Sequence, residues 1–184
     1  MLRKIKRLLK AMIFLASNFF GNLLITEIRE MSFGDTRIIA YNNRYLDDVM
    51  DLWNSWLGPF SKIDEYLLMF YGKKTCFLMI HEDEELLGFL FFYFHFGDLL
   101  HRIIHEAAVC IVPAYRNYGY ATSLFVSAYN SFKKTRWIRG ISARYDLDNI
   151  PTRRLHEKCG FKAINEYYDQ NLKKHRVYAI CNWQ

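Results

Sequence analysis

The stretch VPAYRNYGYATSLF, Val112 to Phe125, decides the fold of this chain of 184 residues. It sets a proline, an arginine and a lone glycine between an apolar, strand-like run and a helical pattern. After Gly119 the apolar residues recur every three or four positions, which predicts an amphipathic helix; they are Ala121, Leu124, Phe125, Ala128, Tyr129 and Phe132. The sequence therefore predicts a strand, a tight turn and a helix N-terminus in succession.

A glycine-bearing turn at a helix N-terminus is suited to binding an anion. Unpaired backbone N–H groups and the positive end of the helix dipole point the same way there. Gly119 lets the backbone come close to a phosphate, and Arg116 adds a permanent positive charge. The alternative is an ordinary strand-to-helix turn with a solvated arginine. Neither the repeated glycines of a dinucleotide fingerprint nor the GK[ST] of a P-loop is present, so a different phosphate ligand is required.

Alternating strand and helix patterns surround this turn from Met31 onward. A strand is predicted over Thr36 to Tyr41, then a helix after Asn43 whose apolar positions extend from Leu46 to Leu57, and a shorter helix from about Ser61 to Gly72. The other strand-like runs are TCFLMIHEDEELLGFLFFYFHF, a hairpin around Glu82 to Glu85, then RIIHEAAVCIV, RWIRGISARY, KAINEYYDQ and RVYAICNW. Together they predict one α/β (α+β) domain, residues 31–184, with a mixed, mostly antiparallel central sheet of about seven strands flanked by about four helices.

The positive charge of the chain is concentrated at its N-terminus. Residues 1–30 contain six basic and two acidic residues, a net charge of +4 out of the total of +6. The rest of the chain is nearly balanced, so a nucleic-acid partner is not predicted. With 52% hydrophobic residues, the chain is long enough to bury one sizeable core.

The N-terminal extension, residues 1–30, allows several interpretations. The basic run MLRKIKRLLK precedes the apolar run AMIFLASNFFGNLLI, which is interrupted by Ser17, Asn18, Gly21 and Asn22. This run is short for a transmembrane helix, which needs about 20 apolar residues. It could be a signal peptide, a basic amphipathic helix on an anionic membrane, or a dispensable extension. We expect a cytoplasmic protein, with membrane contact through residues 1–30 as the alternative.

The cysteines and histidines do not predict a metal site. The four cysteines are far apart and form no CxxC pair, which favours a reduced cytoplasmic protein with buried thiols. His101 and His105 are four residues apart, the spacing of a metal pair on a helix. The flanking residues are typical of a strand, where this spacing separates the two side chains by roughly 13 Å.

A second motif makes the first one specific. The segment DNIPTRRLHEKCGF, Asp148 to Phe161, predicts a short helix capped by Asn149, with Pro151 in its first turn and Gly160 at its end. Together, VPAYRNYGYA before one helix and NxxxxxLHEKCGF on the next resemble the GNAT superfamily of N-acetyltransferases. The resemblance extends from about Thr36 to Asn182 and follows the superfamily's whole order of strands and helices.

The resemblance implies acetyl-CoA as the co-substrate and no metal. It implies that backbone N–H groups of the loop surround the phosphates of coenzyme A, from Arg116, Asn117, Tyr118, Gly119, Tyr120, Ala121 and Thr122. The end of the preceding strand, Cys110, Ile111 and Val112, would lie beside the pantetheine arm. Asn149, Thr152 and Leu155 would line the same arm. A covalent role for Cys110 is the minor alternative, since the superfamily usually transfers the acetyl group directly.

The sequence departs from the superfamily at His156. The usual residue there is a tyrosine, which protonates the departing thiolate. A tyrosine with a pKa near 10 stays protonated at physiological pH, whereas a histidine with a pKa near 6.5 is mostly neutral. A neutral imidazole still has one N–H donor for the sulfur. His156 is therefore the candidate acid, and a helix-surface histidine without a catalytic task is the alternative.

Glu106 is the candidate base, because the superfamily often places a glutamate in this strand facing the amine. Strand alternation would put it on one face with Ala108, Cys110 and Val112. An exposed carboxylate at a sheet edge is the alternative. His101 and His105 are further candidates for the base.

The predicted function is transfer of an acetyl group from acetyl-CoA to a primary amine by direct attack on the thioester. The acceptor, a small molecule or a protein, is not identified by the sequence. Six aromatic residues either shape the acceptor cleft or belong to the core: Trp53, Trp56, Phe60, Tyr66, Tyr167 and Tyr168. The alternatives are a degenerate domain that senses acetyl-CoA and a membrane-surface protein that acts through its extension. The oligomeric state stays open, a homodimer included.

Overall fold

A single mixed sheet organises the computed structural model, which describes the backbone of residues 2–183 and the side chains of residues 4–183. The helices are α1 (Leu2–Leu23), α2 (Leu46–Leu57), α3 (Lys62–Thr75), α4 (Phe96–Leu100), α5 (Tyr120–Lys134) and α6 (Ile150–Lys158). The strands are β1 (Met31–Phe33), β2 (Thr36–Ala40), β3 (Cys76–His81), β4 (Leu86–Tyr93), β5 (Ile103–Ile111), β6 (Gly140–Asp146), β7 (Lys162–Asp169) and β8 (Lys174–Asn182).

The eight strands found within residues 2–183 lie in the order β1-β2-β3-β4-β5-β6-β8-β7. Neighbouring strands are antiparallel except β5 and β6, which run parallel and are connected through α5. This confirms the mixed, mostly antiparallel sheet that the sequence predicts. The sheet has eight strands where about seven were predicted, because the short edge strand β1 pairs with β2. The three residues of β1 are mostly exposed and show no alternating pattern that would predict a strand.

Four of the helices, α2, α3, α5 and α6, are those that the sequence predicts, the first three from hydrophobic periodicity and α6 from its capping residues. Helix α2 spans the apolar positions that predict it, from Leu46 to Leu57, with Asp47 and Asp48 in its first turn. Helix α3 begins at a capping box, in which Ser61 and Asp64 each bond the other's backbone N–H. Helix α4 was not predicted, because five residues are too few to establish a helical period.

Apolar clusters cover both faces of the sheet. The cluster under α5 and α6 includes Phe92, Phe125 and Phe132, and the cluster under α2 and α3 includes Trp53 and Phe89. Strands β3 and β4 lie between the two clusters and are buried on both faces, which explains their continuous apolar sequence.

The N-terminal extension contacts the body of the protein through its second half. The Asn18 side chain accepts a hydrogen bond from the Phe94 backbone N–H at 2.9 Å and donates one to the Phe94 carbonyl at 3.1 Å. Farther along, Ile25 and Ile28 are buried in the cluster under α5 and α6. A domain boundary at Met31 remains a prediction. No helix within residues 2–183 combines the length and the apolar character needed to cross a membrane.

Candidate active site

Strands β5 and β6 separate part-way along the sheet. They pair only where Ile103 to His105 lie beside Gly140 to Ser142, and then each strand continues without the other. Strand β5 runs on to Ile111 and β6 to Asp146. The resulting cleft opens at the carboxyl ends of two parallel strands, the usual location of a ligand site in such a sheet.

A cavity of about 680 Å³ adjoins this cleft. Its walls are the end of β5, the loop before α5, one face of α6 and the C-terminal end of α2. Of the thirteen residues predicted to bind the cofactor, eleven line it: Cys110, Ile111, Arg116, Asn117, Gly119, Tyr120, Ala121, Thr122, Asn149, Thr152 and Leu155. Val112 packs against the α2 and α3 cluster instead, and the Tyr118 side chain is 71% exposed.

The loop before α5 has the conformation expected of an anion-binding turn. Gly119 adopts the left-handed region at φ 85° and precedes the first residue of α5. No side chain caps this helix end, so N–H groups of its first turn are left for a ligand. A Cβ at Gly119 would have no atom within 4 Å, so it is the backbone conformation that requires glycine.

Arg116 connects this loop to α2. Its guanidinium lies 3.9 Å from the centre of the Trp56 ring, and its Nε donates a hydrogen bond to the Ile111 carbonyl at 3.1 Å. Trp56 and Leu57 line the cavity as well. The end of α2 therefore forms a side wall of the cavity that Arg116 holds in place.

Helix α6 begins as the sequence predicts. The Asn149 side chain accepts a hydrogen bond from the Thr152 backbone N–H at 3.2 Å, and Pro151 lies in the first turn. The helix ends at Lys158, two residues before Gly160, which has φ 83°. This capped, short helix presents Thr152 and Leu155 to the cavity.

Cys110 is poorly suited to nucleophilic chemistry. Burial raises the pKa of its thiol to about 12, although the Arg116 charge opposes the shift. The reactive form of cysteine is the thiolate, which such a pKa keeps scarce at neutral pH. The geometry thus favours a packing role for the Cys110 side chain.

Glu106 and His156 form a buried pair. The Glu106 Oε2 and the His156 Nε2 are 2.5 Å apart, and the two side chains are 7% and 1% exposed. The His156 Nδ1 lies 2.7 Å from the Thr152 carbonyl oxygen, which can only accept, so Nδ1 bears a proton. Although burial favours the neutral ring, the Glu106 charge and its hydrogen bond outweigh burial and raise the pKa of His156.

The burial of this pair overturns two of the alternatives. His156 is not a helix-surface histidine, because its ring packs against Phe125 and Phe161 in the cluster under α5 and α6. Glu106 is not exposed at a sheet edge, because β5 lies between β4 and β6.

Glu106 does not share a face with Ala108, Cys110 and Val112, so that prediction is wrong. In the register of β4 and β5, Phe91 lies opposite Ala108 and Phe92 opposite Glu106, which leaves Ala107 as an extra residue. This β-bulge reverses the alternation of side chains along β5. Ala108 and Cys110 belong to the cluster under α2 and α3, on the face opposite His156.

The sequence matches the acetyltransferase (GNAT) family over residues 42–161, more than half of the chain. The chain belongs to the GNAT family. A comparison with curated protein sequences gave no significant match.

Solved structures of GNAT enzymes share this fold. One chain of the NatC complex bound to Gag peptide and CoA matches over 82% of this chain and 99% of its own length, at 15% identity and a TM-score of 0.69. Spermidine N-acetyltransferase from Vibrio cholerae, a dodecamer, matches over 82% of this chain and 95% of its own chain, at 14% identity and a TM-score of 0.64. The ribosomal-protein-S18-alanine N-acetyltransferase from Escherichia coli matches over 80% of this chain and 93% of its own chain, at 12% identity and a TM-score of 0.63. At these identities the likeness establishes the fold alone.

A second polar cluster in this GNAT protein was not predicted from the sequence. Asp98 accepts hydrogen bonds from the Ser142 hydroxyl at 3.0 Å and the Tyr178 hydroxyl at 2.8 Å, and Ser142 lies 2.7 Å from the His105 Nδ1. Because the Ser142 proton points to Asp98, His105 donates from Nδ1. Three strands and a short helix contribute these residues, so no sequence motif marks the cluster.

The cluster of Asp98, His105, Ser142 and Tyr178 lies where β5 and β6 separate, since His105 and Ser142 are the last residues that pair. Burial alone would raise the pKa of Asp98, but the neighbouring His105 and the hydrogen bonds from Tyr178 and Ser142 lower it to about 2. Burial lowers the pKa of His105, although Asp98 opposes the shift. His105, one of the further candidates for the base, is therefore held in its neutral form. The other candidate, His101, precedes β5 and lies apart from the cleft.

The six aromatic residues of the predicted acceptor cleft are divided between core and surface. Trp53 is a core residue that stacks on Phe89 and contacts Phe60 edge-on. Tyr66 packs on Phe70 in α3, and Tyr168 packs on His175 across the last hairpin. Trp56 lines the cavity beside the loop before α5, and Tyr167 lines a separate, smaller cavity beside Arg144. Within residues 2–183, no group of three His, Cys, Asp or Glu side chains could hold a metal ion.

Proposed function

We propose that this protein is an acetyl-CoA-dependent N-acetyltransferase that acetylates a primary amine by direct attack of the amine on the thioester. The observation that carries the proposal is the cavity of about 680 Å³ beside the separated strands, with an uncapped helix N-terminus at one end. The buried Glu106–His156 pair does not line the cavity but contacts its wall, through the hydrogen bond of His156 to the lining residue Thr152. The size of the cavity falls within the range of small-molecule sites, and its chemistry suits a phosphate at one end and an apolar arm along α6.

The phosphate end of this site is formed by the loop from Arg116 to Thr122. The free N–H groups of α5 and the positive dipole end attract the pyrophosphate of coenzyme A. Along the other wall, the end of β5 no longer pairs with β6, and Thr152 and Leu155 of α6 line the same cavity. The pantetheine arm fits between them as an additional strand would.

Glu106 and His156 supply the proton transfers in this proposal. The amine nitrogen forms a bond to the acetyl carbon while the C–S bond breaks, and the nitrogen loses its proton to Glu106, directly or through water. His156 protonates the sulfur of the departing coenzyme from Nε2. Because Nε2 faces Glu106 in the free protein, this hydrogen bond has to open before His156 reaches the sulfur.

The cost of deprotonating the acceptor depends on its class. A lysine side chain with a pKa near 10.4 costs roughly 4.6 kcal/mol to deprotonate at pH 7, whereas an α-amine near 7.7 costs about 1 kcal/mol. The solved neighbours include enzymes named for a ribosomal-protein alanine and for spermidine. Both classes of amine are candidate acceptors for this protein.

Calorimetric titration of the full chain with acetyl-CoA tests the cofactor site. We expect micromolar binding by the parent protein and none by a Gly119→Asp variant. The control is Gly34→Asp: Gly34 also has a positive φ, 56°, and no atom within 4 Å of a Cβ, but it lies in the turn between β1 and β2. Equal loss in both variants would indicate backbone strain in place of a lost phosphate site.

One observation favours a second function, a degenerate domain that binds acetyl-CoA as a sensor. Both ring nitrogens of His156 are occupied, by Glu106 and by the Thr152 carbonyl. A screen of peptide N-termini, lysine peptides, polyamines, aminoglycosides and amino acids, read as free thiol released, separates the two functions. Turnover with any amine supports the enzyme, whereas binding of acetyl-CoA without turnover supports the sensor.

A further inference from the structure

Helix α1 directs most of its apolar residues away from the protein, although Phe14 and Leu15 pack against the cluster under α2 and α3. A surface helix normally buries its apolar face and exposes its polar one. In the second half of α1, the residues that face the body include Ser17, Asn18, Gly21 and Asn22, all of them buried. These are the residues that interrupt the apolar run in the sequence.

The contacts of this inward face are specific. Asn18 bonds both backbone groups of Phe94, as described above, and Lys74 donates a hydrogen bond to the Asn22 carbonyl at 2.8 Å. A Cβ at Gly21 would lie 2.2 Å from the Phe94 ring, so only glycine permits this approach. The polar side of α1 is therefore fixed to the body, and the helix cannot rotate to bury its other side.

The outward face is an exposed apolar stripe. Its residues are spaced by three, four or seven positions, about one or two helical turns, and so lie on one side of the helix. Each is at least half exposed: Ile5, Leu8, Leu9, Met12, Phe19, Phe20 and Leu23. A contiguous apolar surface of this kind on a folded protein marks an interaction site.

The charge of α1 indicates what covers the stripe. Lys4, Lys6, Arg7 and Lys10 are exposed, and none of them forms an ion pair within the described residues. The helix contains no acidic residue. A second copy of α1 would bring only like charges to the stripe, whereas an anionic lipid surface offers apolar chains and negative headgroups together.

We propose that the outward face of α1 binds an anionic membrane, with the helix lying in the plane of the interface. The apolar stripe enters the headgroup boundary, and the four cations contact the lipid phosphates and carboxylates. The docked half of α1 then holds the acetyltransferase domain at the membrane surface. This inference rests on α1 alone and stands or falls independently of the proposed enzymatic activity.

Co-sedimentation of the full chain with phosphatidylcholine vesicles, with and without phosphatidylserine, tests the proposal. We expect binding to the anionic vesicles that weakens as salt rises, and a loss of about tenfold or more in a Leu8→Glu/Phe20→Glu double variant. The matched control is Ile164→Glu/Leu172→Glu, which places the same charges at exposed apolar residues of the last hairpin. We expect the control to bind as the parent does.

Three results would overturn the proposal. The first is absence of vesicle binding by the parent protein. The second is equal binding by the Leu8→Glu/Phe20→Glu variant, which would leave only charge attraction. The third is a parent dimer that the same variant converts to a monomer, with no affinity for vesicles, which would assign the stripe to self-association. Circular dichroism and thermal unfolding of each variant verify that the domain remains folded.

Discussion

At the scale of single residues, the pairing of Glu106 with His156 determines how protons can move. Both groups are buried, and replacing one member of such a pair leaves the other without its partner. The Thr152 carbonyl keeps one proton of His156 on Nδ1. The proton that His156 and Glu106 exchange therefore lies between Nε2 and the Glu106 carboxylate. A base and an acid in direct contact can pass a proton from amine to thiolate without bulk water.

We expect Glu106→Gln to lower kcat/KM by about 100-fold at neutral pH, a typical contribution of a general base. The loss should shrink as pH rises, because the amine then deprotonates without help. The Glu106→Gln substitution should also lower the pKa of His156, because the Glu106 charge raises that pKa in the parent protein. Rate profiles from pH 6 to pH 10, with NMR titration of the histidine, measure both effects.

The control for this variant is Glu157→Gln on α6, an exposed carboxylate paired with Arg153. A small loss in Glu106→Gln that stays constant across the pH range would contradict the role of base, as would an unchanged His156 titration.

At the scale of secondary structure, the cluster around Ser142 links β5 and β6 at the point where they separate. His105 and Ser142 are the last paired residues of β5 and β6, and their side chains are hydrogen-bonded to each other. Asp98 from α4 and Tyr178 from β8 complete the cluster. The point of separation is thus fixed by side chains as well as by the backbone.

We expect Ser142→Ala to lower the free energy of unfolding by about 1–3 kcal/mol, because Asp98 and His105 lose a buried hydrogen-bond partner. Urea denaturation measures the change. Ser55→Ala, which removes an exposed hydroxyl that bonds only its own helix, should change stability by less than about 0.5 kcal/mol. Equal effects of the two substitutions would show that the cluster contributes no particular stability.

Elements with a strong period could be predicted from sequence, and irregular ones could not. Helices α2 and α5 were predicted because their apolar residues recur every three or four positions over at least three turns. The bulge at Ala107 has no signature, since alanine suits either face of a strand and the partner register is not written in β5 itself. The same limit applied to the face of Glu106 and to its contact with His156.

At the scale of the whole molecule, the extension and the domain share one core. Ile25 and Ile28 are buried with residues of the main sheet, and the Ile28 N–H donates to the Lys73 carbonyl at 3.1 Å. The sequence could not assign this role, because Ser17, Asn18, Gly21 and Asn22 resemble defects in an apolar run until their partner, Phe94, is known. The sequence shows that the positive charge is concentrated in residues 1–30. It does not show which side of α1 faces the body.

We expect deletion of residues 1–30 to destabilise the protein by about 3 kcal/mol or more, the contribution of two buried isoleucines. Deletion of residues 1–10 is the control, because residues 4–10 are exposed. Thermal unfolding followed by circular dichroism should show a lower Tm for the longer deletion and an unchanged Tm for the shorter one. An unchanged Tm in both would make the whole extension dispensable for folding.

The limited pairing of β5 with β6 has a mechanical consequence. The strands β1 to β5 form one half of the sheet and β6, β8 and β7 the other, and three residues on each side of the seam join them. Under load, or in slow breathing motions, the sheet would part along this seam before any other pair of central strands. A molecule bound across the seam would hold the two halves of the sheet together, and its dissociation would allow them to move independently again.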